Sequence, residues 1–248
     1  MKRTGIIILF LLICNSASAQ LFTKERVKNQ ENFDKDRLTW GYFLGFNSYD
    51  FKFEYEYDYY TVDENRAYHD ILVKTNIGFN VGLVGDLRIN DYFNLRFEPG
   101  LYISRRELKY DESYFGGQPF NSSDLIREVN STYIHFPLLL KASTKRINNF
   151  KPFVVGGFST ALNLSSNQDG DDNSAGKFRT QKSMLFYEVG FGIDFYLEWF
   201  KFSPSIRGVF AINDELVRDR VEHPDTSPWT DNIASMKTRG VFVNFTFQ

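Results

Sequence analysis

The 248 residues carry 29 Lys and Arg against 31 Asp and Glu, for a formal net charge of −2, with 42% hydrophobic and 17% aromatic residues. That apolar content is too high for a disordered chain, the near-neutral charge leaves no electrostatic footprint for nucleic acid, and the one cysteine, Cys14, can build neither a disulfide framework nor a cysteine-rich zinc site. The unusual number is aromatic: 26 Phe and 14 Tyr, against seven Pro and three Met.

At the start of the chain, Lys2 and Arg3 precede an unbroken apolar run from Ile6 to Ile13, and Ala17-Ser18-Ala19 follows as a small-residue site. This three-part pattern predicts a cleaved signal peptide over residues 1–19, with the cut between Ala19 and Gln20. The run stops at Asn15, short of the roughly 20 apolar residues a spanning helix needs. Ile13 is too bulky before Cys14 for a lipoprotein site. The mature chain then has no cysteine. Residues 20–37 are polar without a usable period and read as a periplasmic lead-in; residues 38–248 read as one domain.

Alternation begins at Leu38. Leu38, Trp40, Tyr42, Leu44 and Phe46 share one face, opposite Thr39, Gly41, Phe43, Gly45 and Asn47, as a strand requires. A second segment runs from Ile77 to Ile89, and a third from Phe93 to Ile103 with Pro99 in its apolar row. The fourth carries Ile134, Phe136, Leu138 and Leu140, and the fifth, the least distinct, Val154, Phe158, Leu162 and Leu164. The sixth is clearest: Leu185, Tyr187, Val189, Phe191, Ile193, Phe195 and Leu197 form an apolar row opposite Glu188, Gly190, Gly192 and Asp194. Phe202, Ile206 and Phe210 define a seventh, and Val241, Val243, Phe245 and Phe247 an eighth.

The connections alternate as well. Short links at Asn90–Tyr92, Lys145–Phe150 and Glu198–Phe200 separate long ones at Phe53–Asn76, Leu108–Arg127, Ser165–Lys182 and Ala211–Lys237. Four long loops on one rim, three tight turns on the other, and both termini on the short-turn side predict an all-β, eight-stranded antiparallel transmembrane barrel of a Gram-negative outer membrane, with periplasmic termini. Trp40, Tyr92, Phe93, Phe150, Trp199 and Phe200 fall near the short-turn end, where an interfacial aromatic girdle belongs. A soluble sandwich or lipocalin-like barrel has the same alternation with its faces exchanged, the charged row outward and the apolar row as core.

An eight-stranded barrel is filled by side chains, so a general porin is excluded and inward charges must pair. The candidates for that lumen network are Asp86, Arg88, Arg96, Glu98, Lys141, Glu188, Asp194 and Arg207; spacing leaves their partners open. Glu188 and Asp194 stand six residues apart on one strand, about 20 Å, too far for joint acid and base chemistry. His135 points to the inner face of the fourth strand, whereas His69 and His223 lie in long loops, and no nucleophile is fixed near any of them. Asp169-Gly170-Asp171-Asp172-Asn173 lacks the spaced ligands of a calcium loop. No enzyme, cofactor or metal is expected; a barrel-embedded lipid enzyme would require a Ser or Asp to converge on His135. In the first long loop, Phe53, Tyr55, Tyr57 and Tyr59 alternate with acidic residues and form a candidate partner-docking surface.

Several stretches carry a family resemblance. Arg37-Leu38-Thr39-Trp40-Gly41-Tyr42-Phe43-Leu44-Gly45-Phe46-Asn47 with Asp50-Phe51 resembles the first strand of PorT-type proteins, outer-membrane barrels associated with type IX secretion and gliding motility. Leu95 to Leu101 is similar to their third strand, Thr132 to Lys141 with Arg146 to Asn149 to their fourth strand and turn, and Pro152 to Gly157 to the strand that follows. The resemblance implies a role in protein secretion without catalysis. The overall reading is a monomeric barrel in outer-membrane lipid that contacts other proteins of the apparatus through its loops or periplasmic end; the other reading is a small envelope or adhesin-like barrel unrelated to secretion.

Overall fold

The computed structural model describes residues 28–55, 71–112, 121, 125–170, 178–218, 229–230 and 233–248. The predicted signal peptide and its Ala19–Gln20 cut lie outside these residues, as do Tyr57, Tyr59, His69, His223 and the 171–173 end of the acidic run.

Ten strand segments form a single antiparallel sheet: β1 (Leu38–Tyr55), β2 (Leu72–Thr75), β3 (Ile77–Arg88), β4 (Phe93–Phe97), β5 (Gly100–Lys109), β6 (Ile126–Ser143), β7 (Phe150–Asn163), β8 (Ser183–Tyr196), β9 (Lys201–Ala211) and β10 (Ile233–Phe247). Two pairs of segments are single staves with a local break. Between β4 and β5 the register against β3 runs through unshifted, Gly85 opposite Phe97 and Gly82 opposite Gly100; Pro99 interrupts the ladder because it has no N–H to donate. Between β2 and β3 the register slips by one residue against β5, from Thr75 opposite Arg106 to Phe79 opposite Ile103, so Asn76 is the extra residue of a bulge. Ten segments therefore make eight staves. The sheet closes where β1 pairs with β10 on one side and with β3 on the other.

Side-chain placement decides between the two readings the alternation allowed. The rows of Leu38 to Phe46, Ile77 to Ile89 and Leu185 to Ile193 face outward, with Val189 56% exposed, while Asp86, Arg96, Glu98, Lys141, Glu188, Asp194 and Arg207 are buried in the lumen. Apolar outside and charged inside is the polarity of a barrel in lipid and the reverse of a soluble one.

Above the apolar band the polarity reverses within the same strands. On β1 the outward positions after Phe46 become Ser48, Asp50, Lys52 and Glu54, and the inward ones Tyr49, Phe51, Phe53 and Tyr55. Outward ion pairs link neighbouring staves there: Asp50 with Arg239 at 2.7 Å, Lys74 with Glu107 at 3.1 Å, and Arg105 with Glu128. Inside, Phe51, Leu108, Val129, Ile233 and Met236 join Ile71, Tyr110, Phe178 and Leu216 in an apolar cluster. The wall thus continues past the membrane as a water-facing extension. The first long connection is accordingly shorter than Phe53–Asn76, since β1 runs on to Tyr55 and the next stave begins at Leu72.

Candidate functional site

Because no channel is expected, the lumen itself is the place to look for function, and it is filled in layers. At the short-turn mouth, the chain before β1 folds into a cap. A 3-10 turn at Phe33–Lys35 sets Phe33 against the Tyr196 ring at 6.2 Å and under the Lys201 ammonium at 4.6 Å. Asn29 donates to the Tyr196 carbonyl at 3.0 Å, and Tyr196 donates its hydroxyl to Asp34 at 2.6 Å. Arg146, on the turn between β6 and β7, donates to the Asn29 and Gln30 carbonyls and pairs with Asp34 at 3.4 Å. A segment without hydrophobic period is held here by hydrogen bonds and cation–π contacts.

The charged layer lies just above. Lys141 on β6 pairs with Asp194 on β8 at 2.6 Å, and Ser203 on β9 donates to the same carboxylate at 2.6 Å. Arg96 bridges Asp86 at 3.4 Å and Glu98 at 3.2 Å, and Arg207 bridges Glu98 at 2.8 Å and Glu188 at 3.2 Å. Glycines make the room: a Cβ on Gly190 would collide with the Arg207 stem, and one on Gly192 with the Phe153 ring. That ring in turn lies 4.1 Å beneath the Lys141 ammonium. Such pairing is what permits ionised groups in a lumen that excludes water.

One candidate departs from this layer. Arg88 stands at the mouth beside Asp86, where it is half-exposed, pairs with Asp91 and reaches the Lys35 carbonyl. Its position next to the tight β3–β4 turn, on the last residue of the stave, lets the guanidinium turn out to water. Lys201 takes its place among the buried cations. Arg96, Lys141, Lys201 and Arg207 then face Asp86, Glu98, Glu188 and Asp194, four of each sign. Lys201 was legible in the inward parity of its strand.

A collar of rings follows. His135 accepts or donates at 2.9 Å with the Tyr49 hydroxyl and lies among Tyr102 at 4.6 Å, Phe186 at 5.2 Å and Phe242 at 6.0 Å. Above it Arg106, fully buried, donates to Ser131 at 2.6 Å, Thr238 at 3.0 Å and Tyr133 at 3.2 Å, and its guanidinium stacks on Phe51 at 3.6 Å. Glu215, from the segment after β9, accepts from Tyr133 and Thr238 and completes this layer. Extending the third segment three residues beyond Ile103 would have put Arg106 inward; Glu215 sits in an irregular segment that no periodicity announces.

The girdle residues Trp40, Tyr92, Phe93, Trp199 and Phe200 are exposed and Phe150 is partly so, all at the short-turn end, with Trp199 at 87%. Phe53 and Tyr55 follow the inward row of β1. Both turn inward onto the extension's apolar cluster, and the Tyr55 hydroxyl accepts from the Ile71 amide at 2.8 Å. The reason is the polarity reversal: above the bilayer the aromatic row of β1 becomes the core row. Outside, the Ser235 hydroxyl donated to Glu54, with Lys52 beside it, holds the Glu54 carboxyl below its ordinary range; Lys74 does the same to Glu107. Among the described residues no cluster of three His, Cys, Asp or Glu side chains could hold a metal ion.

A closed eight-stave barrel with an apolar exterior and a paired, charged lumen defines an integral outer-membrane barrel. The family model of the outer membrane protein beta-barrel domain matches residues 19–217, and the chain belongs to that family. Solved structures similar to it include the outer membrane protein OprG of Pseudomonas aeruginosa, at 14% identity over 85% of this chain and 93% of that one, TM-score 0.42. AlkL, solved in lipid bilayers, is 13% identical over 92% of each chain, TM-score 0.41. Ail of Yersinia pestis, in complex with a heparin analogue, is 14% identical over 84% of this chain and 96% of that one, TM-score 0.35. A search of curated proteins found no match.

Proposed function

We propose that this outer-membrane barrel is a non-catalytic, non-conducting component or assembly factor of a protein secretion apparatus of the type IX kind, acting as a monomeric barrel through contacts with other proteins of the apparatus. The observation that carries the reading is the lumen, which is occupied from end to end by the Phe33 cap, the four-by-four charge layer, the His135 collar and the extension's apolar cluster. A barrel built this way serves as a membrane-embedded scaffold, and its working surfaces are its ends and outer wall. The PorT-like stretches lie in the first, third, fourth and fifth staves, which supports the secretion role by resemblance. Short turns face the periplasm in barrels of bacterial outer membranes, so the cap and both termini belong on that side in this reading.

The test is the secretome of a deletion strain, with cargo compared in medium, on the surface and in the periplasm while envelope leakage is monitored. Retention of a defined cargo set in the periplasm, without leakage, is the expected result. Normal secretion would overturn the role and leave a small envelope or adhesin-like barrel.

A further inference from the structure

Near the short-turn end, the outer wall of the barrel carries an apolar trough. Four outward residues lie in register across β4, β6, β7 and β8: Phe93 opposite Ala142, Ala142 opposite Val154, and Val154 opposite Phe191. The two rings stand on staves about 14 Å apart, from the spacing of neighbouring strands, with only the small side chains of Ala142 and Val154 between them. Closer to the mouth, Tyr92 and Ile193 continue the walls and Pro152 the floor. The Tyr92 wall is tied to β6, because the Ser143 amide donates to the Tyr92 carbonyl at 2.8 Å. The trough has a volume of about 680 Å³, within the range of about 300–1,000 Å³ usual for ligand sites. On β1, β9 and β10 near the same end the wall is filled instead, with Tyr42 stacked on Phe247 at 5.3 Å and Phe202 against the same ring at 5.3 Å.

The trough adjoins a charged pocket at its foot. Three pairs of chain neighbours straddle the boundary: Tyr92, Thr144 and Pro152 line the trough, and Asp91, Lys145 and Lys151 line the pocket. The pocket, about 330 Å³, lies between the β3–β4 turn, the β6–β7 turn and the cap. Its lining carries four cations, Arg88, Lys145, Arg146 and Lys151, against two acids, Asp34 and Asp91. Asp34 is shared by Arg146 at 3.4 Å and Lys151 at 3.9 Å, Asp91 pairs with Arg88, and Lys145 stands exposed on its turn. The girdle rings Tyr92 and Phe93 sit at this same level, which is where lipid headgroups begin. Basic pockets at headgroup level bind anionic headgroups, and a phosphate accepts charge-assisted hydrogen bonds from Lys and Arg. An apolar slot ending in a pocket of net positive charge has the polarity of a single amphiphile, acyl chain first and phosphate last.

We infer that trough and pocket together form a binding site for one anionic phospholipid, with an acyl chain lying between Phe93 and Phe191 and the phosphate in the pocket beside Lys145. The trough opens along its length into the hydrocarbon layer, where lipid is the solvent, and its one polar end carries the charge that a phosphate neutralises. Those two features single this place out from the rest of the lipid-facing wall. The inference goes beyond the secretion reading and stands or falls without it. Only the choice of leaflet, the periplasmic one, rests on the short turns facing that side.

The test is native mass spectrometry of the purified full-length barrel, released from detergent micelles doped with dioleoylphosphatidylglycerol or, separately, with dioleoylphosphatidylcholine, which has the same chains and no net charge. One phosphatidylglycerol should stay bound, at about tenfold higher occupancy than phosphatidylcholine. Lys145→Gln, on an exposed turn, should lower its retention about fivefold, the scale of one cation at an anionic lipid surface. Ala142→Phe and Val154→Phe, each of which fills the trough, should lower retention of both lipids, and Lys182→Gln, an exposed lysine at the long-loop end, should change neither. Heat-modifiable gel mobility reports that each variant is folded. A phosphatidylglycerol with a photoactivatable acyl chain should crosslink to peptides containing Ala142 and Val154. Equal retention of the two lipids, crosslinks spread evenly around the barrel, or undiminished retention in folded Lys145→Gln or in a folded trough-filling variant would overturn the inference.

Discussion

The membrane half and the extension of this barrel share the same eight staves, yet they solve burial in opposite ways. Below the level of Ser48 and Ile77 the wall turns Leu, Val and Phe outward and fills its lumen with bridged Arg, Lys, Asp and Glu; above it the wall turns ion pairs outward and fills its lumen with Phe, Leu, Ile and Met. Strand geometry is indifferent to the change, because both patterns have a period of two. What changes is the solvent outside. The comparison teaches that a side chain's role here follows from its height on the barrel as much as from its face.

The difference can be broken most severely at the charge layer. Arg207→Met leaves Glu188 without a counter-charge and Glu98 with Arg96 alone, which should cost about 3–5 kcal/mol, read as a lower midpoint in denaturant-driven loss of heat-modifiable mobility. An equal midpoint in variant and parent would show that the layer does not carry its pairs as described. Next comes the lipid face. Val189→Arg near the middle of its outward row should cost about 2–4 kcal/mol, and Leu185→Arg at the row's upper end about 1 or less, because the penalty falls with distance from the bilayer midplane. If both variants assembled equally well, the apolar band would not be where the polarity reversal sets it.

Smaller effects sharpen the picture at the two ends. Phe33→Ala removes the ring beneath Lys201, a contact worth about 1 kcal/mol. It should leave barrel assembly intact while making a cysteine introduced as Thr39→Cys, at the mouth, react several-fold faster with a small thiol reagent. Unchanged reactivity would mean that the Phe33 turn does not close the mouth. In the extension, Glu54 and Glu107 have depressed carboxyl pKa values, so their contribution to stability is present above the unfolded range near 4 and is lost as pH falls through the folded values. Acidification below about pH 4 should therefore loosen β1 above Ser48, and β2, in hydrogen exchange before it affects the lipid-facing staves. Glu54 is exposed and Glu107 partly so, so this shift is the smallest expected here.

How much of this was readable beforehand depends on the kind of signal. The eight-stave order, the inward and outward faces of β3 to β10 and the inequality of the loops follow from alternation. So does the inward placement of seven of the eight charges named in advance. The misses have physical causes. Arg88 has inward parity but stands at an open mouth, where water competes for its guanidinium. The Phe53 and Tyr55 rings share a stave with lipid-facing residues, and the reversal that turns them into core depends on where the bilayer ends. The cap over residues 29–36 rests on single hydrogen bonds and ring contacts that leave no periodic trace, and Glu215 reaches Arg106's layer from an irregular segment.

The amino-acid sequence by itself determined that this chain folds as eight alternating staves, because aromatic and aliphatic residues recur at every second position over segments of barrel length; that the apolar row meets lipid was decided by which face the closed sheet turns outward. It did not determine which charges meet, since partners such as Arg207 and Glu98 lie on staves that come together only when the sheet closes. Nor did it determine the bulge at Asn76 or the rung, Ser48 opposite Ile77, where the β1–β3 ladder ends. Those follow from register, and register is a property of two strands at once.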